Sequence, residues 1–203
     1  MPTDTEIDEP IDGRTARAVR TRDAIVDACI GLIDEGDLRP TGPRIAERAG
    51  VSVRSIFQHF DDLDALFSAV GARVSERITG LLRPIDVQAS LAERTDQLVE
   101  QRTEMLEALT PVLRAALVHA ASSTVIRQQF DDGYRFFVAQ IDEVFAPEIA
   151  SPSGSDVLRD ALVVALSWTA WDQLRGAQGR SVEDARRIIG WMVHAVLDAA
   201  IGS

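Results

Sequence analysis

Lysine is missing from this chain of 203 residues: all 21 of its basic side chains are arginine. A genome of high GC content is the simpler reading of that bias, ahead of a functional demand for guanidinium groups. Cysteine is nearly absent as well. The only one, Cys29, falls on the apolar face of a helical pattern and reads as a packed thiol rather than a redox or catalytic group. No run of eighteen apolar residues occurs, and the first dozen residues are acidic and polar. Neither a membrane span nor a secretory signal is therefore expected, and a cytoplasmic location is the default. Strand-period alternation, internal repeats and low-complexity tracts are also lacking. His59, His119 and His194 show no HExxH or other metal-ligand spacing, and there is no GxSxG elbow or glycine-rich phosphate loop. The acids scatter along helix surfaces as solvated faces. Catalysis, a metal and a cofactor are thus not expected.

What is present is a helical pattern carried by an ordinary 46% of hydrophobic residues, in a chain long enough to bury a core. Net charge is −11, which looks unfavourable for a nucleic-acid partner until it is divided along the chain. Residues 1–12 carry five acids and no base, and are expected to form a disordered acidic tail. Residues 13–60 carry eight Arg against six acids, and residues 61–203 thirteen Arg against twenty-one acids. The one positive segment is where phosphate contact would be local, with the remainder repelling DNA.

Gly42 to Phe60, GPRIAERAGVSVRSIFQHF, has the form of two short helices joined by a tight turn. Ile45, Ala49, Val51, Ile56 and Phe60 recur at inward-facing spacings, and Ala46 is small enough for a close crossing. Gly50 can take the positive φ that ends the first helix, and Ser52 can cap the second. Val53, Arg54, Ser55, Gln58 and His59 remain outward, a compact hydrogen-bonding surface suited to the major groove. Before this motif, Ala24, Ile25, Ala28, Cys29, Leu32 and Ile33 mark an amphipathic helix that Gly36 ends. Thr41 is placed to cap the first of the two short helices, with Pro43 in its first turn. Asp61 or Asp62 is placed to cap the helix after the motif.

After the motif, apolar spacing predicts a helix over 63–82, stopped by Pro84, and a long one marked by Leu91, Leu98, Met105, Leu106 and Leu109. Pro111 opens a short helix, and another runs from Val125 to Phe145 with Gly133 inside it, at a cost of about 1 kcal/mol relative to Ala. That glycine suggests close packing or a ligand against the backbone. Residues 147–155 read as a loop, followed by helices over 156–175 and 182–201 joined by a 176–180 turn. Both of these last helices are apolar over more than one face. Leu158, Leu162 and Trp171 on the first, with Ile189, Met192, Val193 and Val196 on the second, exceed what one subunit buries and imply a partner. A large monomeric core is the alternative. Nine or ten helices and no sheet are expected.

At Thr41, Ile45-Ala46, Ala49-Gly50, Val51-Ser52, Phe57, His59-Phe60 and Leu66 the sequence resembles the amino-terminal domain of the TetR family of transcriptional regulators, specifically over Thr21 to Leu66. The resemblance implies an all-α fold with a three-helix helix-turn-helix DNA-binding domain at 13–60 and an effector-binding and dimerisation domain at 61–203. It implies a regulator, most readily a repressor, that binds a palindromic double-stranded operator as a homodimer through its last two helices. Release would come from a small effector, apolar or aromatic by the side chains available, in a cavity for which Met105, His119, Tyr134, Phe137, Gln140 and Trp168 are candidates, plain core packing being the alternative for each. It also places Thr41 and His59 at phosphates, with Arg44 a further candidate; capping alone is the alternative for Thr41, and a ring packed against the helix end for His59. Arg20, within the cluster Arg14, Arg17, Arg20 and Arg22, would lie near the DNA backbone or a minor groove, a solvated helix end being the alternative.

Three residues depart from the family pattern. Arg54 stands where a small residue is usual, so a bidentate donor to guanine sits at the front of the reading helix; phosphate contact or solvent exposure is the alternative. Phe57 replaces the usual Tyr, which keeps ring packing and loses the hydroxyl. Leu63 stands where many relatives have Lys, beside Asp61, Asp62 and Asp64. That acidity leaves open an interaction or ligand-binding module with a degenerate helix-turn-helix.

Overall fold

The computed structural model describes residues 13–150 and 156–201; the expected acidic tail, 1–12, lies outside them. The chain divides into two compact units after Val70. In the first, α1 (Gly13–Asp34), α2 (Gly42–Ala49) and α3 (Val53–His59) pack on one another. The boundary falls ten residues beyond the one expected after Phe60. The opening turns of α4 (Leu63–Thr79) place Leu66, Phe67 and Val70 in buried positions of that unit. Asp62 caps α4, its Oδ1 accepting from the Ala65 N–H at 2.7 Å.

The interior of this unit is made by Ile25, Val26, Cys29 and Ile33 of α1, Ile45 and Ala46 of α2, and Ile56 with Phe60 around α3. Ala24, expected in the α1 stripe, is exposed instead: the stripe runs through Ile25, Val26, Cys29 and Ile33, one position round the helix. Burial, with Asp37 adding repulsion, pushes the Cys29 thiol up to about 12, as befits a packing group rather than a nucleophile. The turn between α2 and α3 is set by Gly50, whose φ of 67° is left-handed. Its conformation lets the Val51 N–H reach the Ala46 carbonyl at 3.0 Å, closing the end of α2 in the manner of a Schellman motif.

The second unit contains the rest of α4, then α5 (Leu91–Ala120), α6 (Thr124–Val144), α7 (Ala146–Ile149), α8 (Asp156–Ala165), α9 (Trp168–Asp172) with a π-helical turn over Gln173–Ala177, and α10 (Val182–Ile201). No strand occurs among the described residues. Its core joins Leu98, Val99 and Leu106 of α5, Ile141 and Val144 of α6, Leu158 and Leu162 of α8, Trp171, and Ile189, Val193 and Leu197 of α10.

Four local expectations are corrected. Pro111 does not open a helix but lies inside α5. A proline interior to a helix costs about 3 kcal/mol, and α5 continues because both sides are anchored. Leu106, Thr110 and Ala115 are buried, and Glu107 and Thr110 accept from the indoles of Trp171 and Trp168 at 3.1 and 3.2 Å. The helix expected over 156–175 breaks at Leu166–Ser167, where Ser167 Oγ caps α9 by accepting from the Ala170 N–H at 3.1 Å. The first residues of the expected 147–155 loop are helical in α7, and residues 151–155 lie outside those described. Gly133 is not pressed against anything: a methyl built on it meets no atom within 4 Å.

Candidate nucleic-acid interface

The α3 helix is short, and its orientation is fixed by one apolar anchor and one cap. Ile56 is fully buried, and Ser52 Oγ accepts from the Ser55 N–H at 3.1 Å, tying down the first turn. The opposite side is therefore turned outward. It presents Val53, Arg54, Phe57 and Gln58 as exposed side chains, with Ser55 and His59 half-buried at its edges. Phe57 corrects an expectation: its ring is 51% exposed rather than packed. The surface thus combines one long forked donor, one carboxamide and two apolar groups. Guanine edges, adenine edges and thymine methyls are the base features such groups match.

Around this helix the candidates for phosphate contact differ in how they are held. Thr41 occupies the N-cap position of α2 with extended backbone, but its hydroxyl does not cap the helix. Its carbonyl accepts from the Ile45 N–H at 2.9 Å, so the backbone ends the helix and the exposed hydroxyl is left to other partners. Arg44 is paired with Asp37 while 57% of its side chain remains exposed. Arg48 is held by both oxygens of Glu35 at 2.6 and 2.8 Å, a clamp from α2 to the turn just after α1 that also holds the Glu35 carboxyl below its ordinary range. Arg20 and Arg22 are both exposed on α1, Arg22 with its guanidinium over the Phe60 ring at 4.5 Å.

In the second unit the expected cavity residues scatter. Met105 is closed within the core, Tyr134 is 60% exposed, and Trp168 is turned to Thr110; His119 is half-buried. Tyr134 and Met105 therefore line no open cavity, the one facing solvent and the other fully packed. Phe137 and Gln140 do meet, at a residue the spacing did not single out. Arg102 is 2% exposed, donates to Gln140 Oε1 at 2.8 Å, and lies 4.1 Å from the centre of the Phe137 ring. A legible signal existed: Arg102 follows Leu98 by four residues and precedes Leu106 by four, which puts it inside the apolar stripe of α5.

The residues expected at a partner interface need a larger correction. Leu158, Leu162, Trp171, Ile189 and Val193 are buried within the unit itself, and Met192 and Val196 are half-buried against the same core. The inner stripe of α8 is used up on α6 and α10, and that of α10 on α5 and α8. What is left outward is a different set: Val157 at 75%, Val164 at 64% and Trp191 at 72% exposure.

Residues 25–70 match the family model for bacterial regulatory proteins of the tetR family. Solved structures of similar fold include a transcriptional regulator from Rhodococcus sp. Rha1, with a TM-score of 0.67 and 17% identity over 90% of this chain and 96% of that one. A TetR transcription regulator from Haloarcula marismortui aligns with a TM-score of 0.63 and 17% identity, over 89% and 98% of the two chains. The multidrug binding protein EbrR, solved with imidazole, aligns at 0.56 and 18% identity, over 95% and 96%. At such identities the likeness is one of fold. No curated protein sequence matches the chain.

Proposed function

We propose, from the TetR-family DNA-binding domain that residues 25–70 carry, that this chain is a transcriptional repressor which binds a palindromic operator as a homodimer and is released by a small-molecule effector. The observation that carries the reading is the outward face of α3. A helix fixed by Ile56 and Ser52 and preceded by the Gly50 turn offers Val53, Arg54, Phe57 and Gln58 to a groove. Thr41, Arg44, Ser52, Ser55, His59 and Arg20 flank them as the groups that would meet phosphates or the groove edge. For Thr41 the capping explanation is gone, which favours the phosphate role.

Dimerisation falls to the outward stripes of α8 and α10. Val157 and Val164 stand seven residues apart on one, and Trp191 lies between Ile188 and Ala195 on the other. A two-fold pair requires two half-sites of opposite direction. Effector binding in the second unit lowers operator affinity by the ratio of its affinities for the two states of the protein. An apolar or aromatic body suits the side chains present.

Selection of binding sites from a random duplex library by the full chain at low salt tests the reading. An enriched inverted repeat is expected. Enrichment of no sequence, with only salt-sensitive binding left, would favour the alternative of a degenerate helix-turn-helix beside Asp61, Asp62 and Asp64.

A further inference from the structure

Among the described residues, Arg102 is a cation in the interior without a counter-charge. Its guanidinium is held by neutral groups only: Gln140 Oε1 at 2.8 Å, the Phe137 carbonyl at 3.4 Å and the face of the Phe137 ring. Its Nε is buried with no hydrogen-bond partner. Burial alone pushes its pKa down, to about 9, and no carboxylate pairs with it among the described residues. An arginine so placed is still charged near neutrality. The contrast on the same helix is Arg94, also buried and with its own Nε unpartnered, but with its terminal nitrogens closed by both oxygens of Glu148 and the Val144 carbonyl. A buried charge left uncompensated is costly, and at Arg102 none of the described residues supplies the compensating anion.

The surroundings supply an approach. A groove of about 460 Å³ runs between residues 82–87 and the face of α6 that carries Phe136, Gln140 and Val144. That volume lies within the range of small-ligand sites. Gln140 belongs to the wall and to the guanidinium at once. The opposite wall is clamped beside Arg102 as well: Gln101 accepts from the Arg83 N–H and donates to the Arg83 carbonyl. The lining is mostly apolar, with Leu82, Pro84, Ile85 and Phe136. Of its two charged side chains, Arg83 is paired to Glu104 at 2.9 Å and Glu143 is exposed.

We propose that the second unit binds a small organic monocarboxylate with an apolar body, its carboxylate seated on Arg102 in place of the Gln140 carboxamide and its body along the groove beside Phe136. The proposal rests on the reading of this unit as effector-binding and gives that effector a charge. A carboxylate is the group that matches a guanidinium edge with two parallel hydrogen bonds. A single anionic head suffices because one cation is unpaired, and the apolar walls set the rest.

The test is isothermal titration of the full chain with benzoate, 1-naphthoate, octanoate and decanoate, each beside its neutral primary amide. At least one carboxylate is expected to bind about tenfold or more tightly than its amide, and to raise the melting temperature of the wild type. In Arg102→Met, which keeps the volume and removes the charge, the preference should fall to near unity. Without ligand, that variant should melt no lower than the wild type. In Gln140→Leu, which removes the competing acceptor, carboxylate binding should strengthen while amide binding does not. Equal affinity for acid and amide, no carboxylate bound at millimolar concentration, or a carboxylate preference that survives in Arg102→Met would each overturn the proposal. None of these readouts involves DNA. A chain that selects a palindrome yet binds only neutral compounds defeats this inference alone; one that binds carboxylates yet selects no sequence defeats the regulatory reading alone.

Discussion

Arg54 is the second residue of α3, exposed at the end of the helix nearest the turn. If it forks onto a guanine, Arg54→Ala costs about 1 to 3 kcal/mol on the selected operator and relaxes preference at one position per half-site. Binding measured against a set of single-base operator variants checks this; an equal loss on every sequence would make Arg54 a phosphate contact instead. The Arg94–Glu148 pair is a stability device of the opposite character, with side-chain exposures of 7% and 13%. The hydrogen bonds from Arg94 hold the Glu148 carboxyl below its ordinary range, against the effect of burial. A folded-state pKa below the unfolded one means the stabilisation is fully present above the ordinary carboxylate value and is lost as pH falls through the folded value. Glu148→Gln is therefore expected to destabilise the protein by about 3 kcal/mol at neutral pH. The gap from the wild type should close on acidification below about pH 4, as read by denaturant unfolding across a pH series. A gap that persists into acid would show that the carboxylate charge is not what stabilises.

Among the elements, α6 holds a residue its sequence does not require. Gly133 has no positive φ, and a methyl on it meets nothing within 4 Å. Gly133→Ala should stabilise by about 0.5 to 1 kcal/mol through the lower backbone entropy of the unfolded chain. A lowered melting temperature would mean that the glycine answers to a packing demand not met within one chain. For α5 apolar spacing marked the helix but not its start, which a capping box sets, with the Ser90 N–H donating to Glu93 Oε2 at 3.0 Å. Its continuation through Pro111 was not legible, since proline is a local signal and the compensation comes from two tryptophans about 60 residues downstream.

At the scale of the molecule, a dimer through α8 and α10 would bury the outward stripe that carries Val164 and Trp191. Placing charges there, Val164→Asp with Trp191→Glu, should give a folded monomer with operator affinity much reduced, because a single head reads one half-site. Sedimentation of wild type and variant, with circular dichroism to confirm folding, is the check. A double variant that stays dimeric would move the interface elsewhere.

The amino-terminal motif could be read from residues alone because its determinants are local. Gly50 ends a helix, Ser52 begins the next, and Ile45, Ile56 and Phe60 face inward whatever lies beyond them. The all-helical class and the last helix, Val182–Ile201, followed from periodicity in the same way. Periodicity tells which residues are apolar but not which apolar stripe meets which neighbour, so Leu158, Leu162, Trp171, Ile189 and Val193, expected at a partner, lie in the core of their own unit. Leu162 and Ile189 went inward to the shared core, leaving Val164 and Trp191 out. The same limit hid Arg102. A charge inside an apolar stripe gains its meaning from whether an acid waits on the facing element, and only the packing of α5 against α6 and α7 decided that Arg94 would find Glu148 on α7 while Arg102, among the described residues, meets only neutral groups of α6.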